Sequence, residues 1–198
     1  MKKYSYIGIS FIVLIFGIWF FPKIMNRLEG DNIKYDTRLD NSKELNFIKL
    51  NGDKKKVPDF VFQNQDNLFI SNEDFLGKVF VVEFFFTSCP SICIEMNKNM
   101  KILDKEFGNR EDFGIASFTI DPEYDTSKVL KEYAELLEVN SKNWHFLTGK
   151  ISDIYDLSNS GFNIFSSINP DVAGGFEHQG FFALIDQNGY IRSRDNGM

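Results

Sequence analysis

The stretch KVFVVEFFF, Lys78–Phe86, limits what this chain can fold into more than any other. It is an almost unbroken run of β-branched and aromatic residues. A strand that is apolar on both faces must be covered on both faces, as a central strand of a layered α/β domain is. The run stops at FFFTSCPSICIEM, which holds Cys89 and Cys93, the 2 cysteines of the chain.

The flanking pattern fits that strand. Cys93, Met96, Met100, Leu103 and Phe107 recur at helical spacing and predict a helix ending near Gly108. A second strand is predicted over Phe113–Ile120, then a helix in TSKVLKEYAELLEV with Val129, Leu130, Tyr133, Leu136 and Leu137 inward. WHFLTG reads as a short strand, and Ser152 as the cap of a short helix burying Ile154 and Leu157. A structureless loop is expected from Phe162 to Gln179, holding Pro170 and Gly174–Gly175. On either side of this core, VPDFVFQNQDNLFI reads as a hairpin over Phe60–Ile70, and FFALIDQNGYIRSR as one turning at Asn188–Gly189 with a type I′ turn. Strands alternating with helices predict an α/β, thioredoxin-like fold, a central mixed sheet flanked by helices with an N-terminal β-hairpin.

Ahead of this domain, MKKYSYIGISFIVLIFGIWFFPK sets Lys2 and Lys3 before an apolar run of about 16 residues, just short of a usual spanning helix. Tyr4, Tyr6 and Trp19 extend it, and Lys23 and Arg27 can snorkel on the far side. With no small-residue cleavage site after the run, an uncleaved membrane anchor over 1–27 is the expectation. Residues 28–56 are polar without apolar period and read as a tether, leaving 57–198 as the folded domain. The lysines place the domain on the periplasmic or outer face of the cytoplasmic membrane, where thiols can oxidise. At a net charge of −6, with no basic stripe, nucleic acid is not an expected partner.

The cysteines carry the chemistry. Pro90 suits the first turn of a helix, which would put Cys89 at the N-cap, where backbone N–H groups favour thiolate. Cys93 then lies one turn on, within disulfide reach at about 6 Å between Cα atoms. Two soft thiolates also suit Cu(I) or Zn(II), but leave either short of ligands. Of the 2 histidines, His145 follows Trp144 at a strand start and reads as structural. His178 ends the long loop just before the last hairpin, the place where thioredoxin-like folds bring a loop beside the cysteine motif. Met96 and Met100 read as core residues from their spacing, and IDPEYD, with Asp121 and Asp125, as a structural turn.

VPDF, GKVFVVEFFFTSCPSIC, FTIDPEYDT, LTG and EHQGFFALID, in this order, resemble the Sco/SenC proteins over about Val57 to Arg194. These are membrane-anchored, thioredoxin-like copper chaperones of cytochrome c oxidase assembly. The resemblance implies that Cys89, Cys93 and His178 are copper ligands. It also implies a copper donor and the apo-cytochrome c oxidase copper-binding subunit as partners. The chain departs from the family pattern at Ile94, where a proline is common, and at Ser91, where an acidic or bulkier residue is common. It also ends at RSRDNGM, before an expected C-terminal helix. Two rival functions share the cysteines. A thiol–disulfide oxidoreductase acting on the oxidase's copper-site cysteines would use Cys89 and Cys93 as a redox pair without His178. A thiol peroxidase would need a basic group near the sulfur, and no Lys or Arg lies between Lys78 and Lys98.

Overall fold

The computed structural model describes residues 14–16 and 45–193. Among them no helix is long and apolar enough to cross a membrane. The anchor read over 1–27, apart from the helical residues Leu14–Phe16, lies outside the described residues, as do the tether up to residue 44 and the chain after 193. The chain divides into two units, Met1–Glu44 and Leu45–Met198.

In chain order the strands are β1 (Asn46–Phe47), β2 (Lys49–Leu50), β3 (Asp53–Lys54), β4 (Val61–Asn64), β5 (Phe69–Ser71) and β6 (Val79–Phe85). Helix α1 (Ile92–Phe107), β7 (Phe113–Thr119), α2 (Ser127–Leu136), β8 (Trp144–Thr148) and α3 (Ile151–Asp156) follow. Helix α3 runs into a π-helical turn, Leu157–Phe162, and β9 (Ser166–Ile168), β10 (Phe176–His178), β11 (Ala183–Ile185) and β12 (Ile191–Ser193) follow among the described residues. Eight strands form one sheet in the order β1-β12-β11-β6-β7-β8-β4-β5. Strands β6, β7 and β8 are parallel and the other pairs antiparallel. This is the mixed sheet with flanking helices expected of a thioredoxin-like chain.

The apolar run becomes β6, buried from Phe80 to Phe85: Val82, Phe84 and Phe85 have no exposed surface. Phe84 stacks on Phe118 of β7 at 5.4 Å between ring centroids, and Phe85 meets Phe146 of β8 edge-on at 5.7 Å. Each such aromatic contributes on the order of 2–3 kcal/mol through the area it removes from water. In register, Phe85 faces Thr119, so β6 and β7 end side by side at the carboxyl edge of the sheet. That edge is where open α/β sheets bind their ligands.

Several expectations need correction. Residues 45–56, read as the end of a tether, form strands, and β1 joins the main sheet through Asn46↔Ser193 and Phe47↔Arg192. Helix α1 begins at Ile92 with Ser91 as N-cap, so Pro90 and Cys89 lie in the turn before it. Helix α3 is capped by Lys150, and the Ser152 hydroxyl bonds Asp153 instead. In α2 the buried positions are Ser127, Leu130 and Ala134, while Leu136 is 75% exposed, because six residues beyond Leu130 carry it roughly 240° around the helix, off the buried stripe. The loop from Phe162 to Gln179 is a β-ribbon of β9 and β10. Its strands were hidden by their short length and half-exposed, weakly alternating side chains. At the last turn only Gly189 takes a positive φ, and the Asp186 carboxylate accepts the Asn188 and Tyr190 N–H groups. The structure therefore does not form the two-residue type I′ turn, which requires positive φ at both central positions.

Candidate metal centre

Three elements converge beyond the carboxyl end of β6. The strand delivers the turn Phe86–Cys89, closed by Cys89 N–H donating to the Phe86 carbonyl at 3.2 Å. Helix α1 places Cys93 in its first turn. The β9–β10 ribbon brings His178, whose register partner is Ser166. Cys89 Sγ, Cys93 Sγ and a His178 ring nitrogen all lie within 4.8 Å of one another. The Cys93 sulfur is 3.1 Å from His178 Nε2. Both cysteines are buried free thiols, and His178 is half-buried.

The ribbon is seated by close packing. Gly174 has φ +92°, and a Cβ there would stand 2.9 Å from the Phe86 ring and 3.3 Å from Pro90. Glycine is needed both for the backbone conformation and for the approach. The Phe86 ring touches Phe176 and stands edge-on to His178 at 6.0 Å. Farther from the cysteines and His178, the Asn159 amide clamps Ser166, accepting its N–H and donating to its carbonyl, both at 3.0 Å.

The electrostatics divide the two thiols. Burial raises the Cys89 thiol, but N–H and side-chain donors of Cys93 and Ser91 outweigh it and hold the group below the ordinary thiol range. Burial pushes the Cys93 thiol well up, with its neighbours Cys89 and Glu83 adding to the effect. Burial also lowers His178, favouring neutral imidazole. His178 Nδ1 lies 3.3 Å from the Gln179 carbonyl oxygen. With Nδ1–H donating there, Nε2 is left with its lone pair directed at the sulfurs, the tautomer that metal ligation requires.

The remaining sequence candidates fall elsewhere. His145 is on β8, its Nδ1 3.3 Å from the Asn64 amide and its ring edge-on to Phe75, outside the cluster. Met100 is fully buried in the core, and Met96 is buried beneath Gly180. Asp125 is buried and bonded to Thr87 and Thr119. Sequence reading did not anticipate that link to the cysteine turn, nor the Asn159 clamp. No local signal in the sequence marked either.

The family model described as SCO1/SenC matches residues 48–195. The chain belongs to the SCO1/SenC family. Among curated Sco relatives, the SCO1 protein homolog of Bacillus subtilis is 34% identical over 145 residues, 72% of this chain and 75% of that one. A SCO1/SenC family lipoprotein of Bacillus anthracis superposes with a TM-score of 0.65 at 33% identity, covering 70% of this chain and 83% of that one. BsSco, described as a member of the Sco family of cytochrome c oxidase assembly proteins and as bearing a disulfide switch, superposes at 0.61 with 34% identity, covering 70% of this chain and 81% of that one. The Sco match begins at residue 48, which agrees with a folded unit that starts near Leu45.

Proposed function

We propose that this chain is a copper carrier. It holds one copper ion through Cys89 Sγ, Cys93 Sγ and His178 Nε2 and delivers it to the copper-binding subunit of cytochrome c oxidase during assembly. The observation that carries this reading is the convergence of three donor atoms within 4.8 Å from segments 85 residues apart. Two sulfurs and one imidazole form a soft donor set that suits Cu(I). Membership of the Sco family supports copper as the ion and the oxidase as the destination. Loading uses the asymmetry of the pair: Cys89 is the more readily deprotonated sulfur, Cys93 gives up its proton as the ion binds, and neutral His178 completes the set. Delivery is ligand exchange, in which thiolates of the recipient replace these donors one at a time so that the ion is never free. The apolar run over 1–27 would tether the domain to the outer face of the membrane, in keeping with the lipoprotein character of the B. anthracis relative.

A second reading rests on the same asymmetry. An acidified Cys89 backed by a deeply buried Cys93 thiol suits thiol–disulfide exchange: Cys89 attacks a substrate disulfide as its thiolate, and Cys93 then closes the intramolecular bond. That activity needs no His178, so one titration separates the readings. Reduced chain titrated with Cu(I) against a chelator is expected to take up one copper, with two sulfurs and one nitrogen around it by X-ray absorption. His178→Ala should weaken binding beyond the ~10–100-fold typical of losing an outer partner, while His145→Ala keeps the stoichiometry. Undiminished affinity in His178→Ala would overturn the carrier reading in favour of exchange, and a third sulfur in the spectrum would bring in Met96.

A further inference from the structure

We propose that Asp125 is a positioning residue for the metal centre: its buried carboxylate grips Thr87 by backbone and side chain, and so fixes the turn that presents Cys89. The inference rests on the copper reading above and names a residue that reading does not use.

Asp125 lies 36 positions beyond Cys89 in the chain yet has no exposed surface. Its carboxylate accepts the Thr87 N–H at 3.0 Å and the Thr87 hydroxyl, and also the Thr119 hydroxyl. Thr119 Oγ1 accepts in turn from the Asp121 N–H at 3.0 Å, and the Asp125 N–H donates to the Asp121 carbonyl at 2.9 Å. The end of β6, the end of β7 and the turn into α2 are thus joined on one carboxylate. β7 adds a bond to the same place, Ile120 N–H to the Phe85 carbonyl at 2.8 Å.

The need for such a grip follows from the position of the turn. It leaves the sheet, and Ser88 and Pro90 on either side of Cys89 are exposed. Packing alone therefore holds the segment weakly, and a charge-assisted bond to a backbone N–H is among the stronger fixings available. The Thr87 hydroxyl adds a second bond to the same carboxylate, which fixes orientation as well as place. Cys89 is two residues on, so tilting of Thr87 moves Cys89 Sγ relative to Cys93 and His178. Outer partners that orient a metal ligand are typically worth ~10–100-fold in affinity, and Asp125 acts one step farther out through Thr87. A loss of about tenfold is expected.

The test compares Cu(I) affinity, by chelator competition, in reduced full-length chain carrying Asp125→Asn, Thr87→Val, Thr87→Ser or both Asp125→Asn and Thr87→Val. Thr87→Val keeps shape and removes the hydroxyl, whereas Thr87→Ser keeps the hydroxyl. Expected are about tenfold losses for Asp125→Asn and Thr87→Val, near wild-type binding for Thr87→Ser, and a double variant no weaker than the worse single one. Hydrogen exchange at the Thr87 amide, measured without metal, should quicken in Asp125→Asn. Wild-type copper affinity in Asp125→Asn and Thr87→Val, with only a lower melting temperature, would make the knot a fold device and overturn the inference. If Asp125→Asn does not fold, the Val and Ser variants decide: equal affinity in the two overturns it. Cys89→Ala and His178→Ala in the same titration separate the failures. If they lose copper while Asp125→Asn keeps it, only the positioning role falls, and if they keep copper, the carrier reading itself falls.

Discussion

Replacing Glu83 by glutamine should remove a large pH dependence from the stability of this domain. Glu83 sits on β6 with no exposed surface. Its Oε1 accepts from the Ser117 hydroxyl at 2.6 Å, Ser117 Oγ accepts from the Trp144 indole N–H at 2.9 Å, and Oε2 has no partner among the described residues. Burial dominates, and the single hydrogen bond from Ser117 only partly opposes it, so the carboxyl is pushed from 4.5 to about 7. Its value in the fold is thus above that in the unfolded chain. The folded protein keeps the proton where the unfolded chain has released it, and stability is fully present below about 4.5 and lost as pH rises through about 7. At ~1.36 kcal/mol per pH unit over the interval between those values, the loss is about 3 kcal/mol. Glutamine cannot ionise. It leaves an N–H group unpaired at the Oε2 position, which offsets its stability by a roughly constant ~1–3 kcal/mol at every pH. The quantity to measure is therefore the difference between the two proteins from urea unfolding at pH 5, 6, 7 and 8, with the metal chelated and the thiols reduced. It should move by about 2.5 kcal/mol in favour of the glutamine variant across that range, part of the interval being already passed at the lowest pH. A difference that stays constant to within a few tenths of a kcal/mol would show that the carboxyl does not titrate inside the fold, and would refute the reasoning.

Two further outcomes are expected. Gly174→Ala places a side chain at φ +92° and 2.9 Å from the Phe86 ring, so it should cost about 1–2 kcal/mol in urea unfolding and weaken copper binding by lifting the ribbon that carries His178. Unchanged copper affinity in that variant would show that the Gly174 contact does not seat the histidine. Oxidation of Cys89 and Cys93 to a disulfide, with loss of two protons and two electrons to an added oxidant such as diamide, should abolish Cu(I) binding reversibly, and chelator competition before and after reduction with dithiothreitol reads it. Tight binding by the oxidised form would remove the sulfurs from the ligand set.

Much of this architecture is legible in the sequence because burial leaves a periodic trace. The run Lys78–Phe86 predicts β6 to within one residue at each end, since a strand covered on both faces admits little else. The helical spacing of Cys93, Met96 and Met100 likewise predicts the buried face of α1. The helix start is misplaced because Pro90 satisfies the local preferences of a first turn, while closure of the turn onto Phe86 delays the helix to Ile92. The strands at Asn46–Lys54 and the β9–β10 ribbon are too short to show a period, and exist through pairing with distant chain.

By itself, then, the amino-acid order determined the central strand, the layered class and the C-x-x-x-C pair, because hydrophobic period and cysteine spacing are local properties. Tertiary structure alone decided how near the His178 imidazole, already singled out by its place before the last hairpin, comes to the sulfurs, and that Asp125 reaches back to the cysteine turn. It also decided that Glu83 is sealed from water. Each depends on segments tens of residues apart brought within hydrogen-bonding distance by sheet register, and register is set by packing of the whole core.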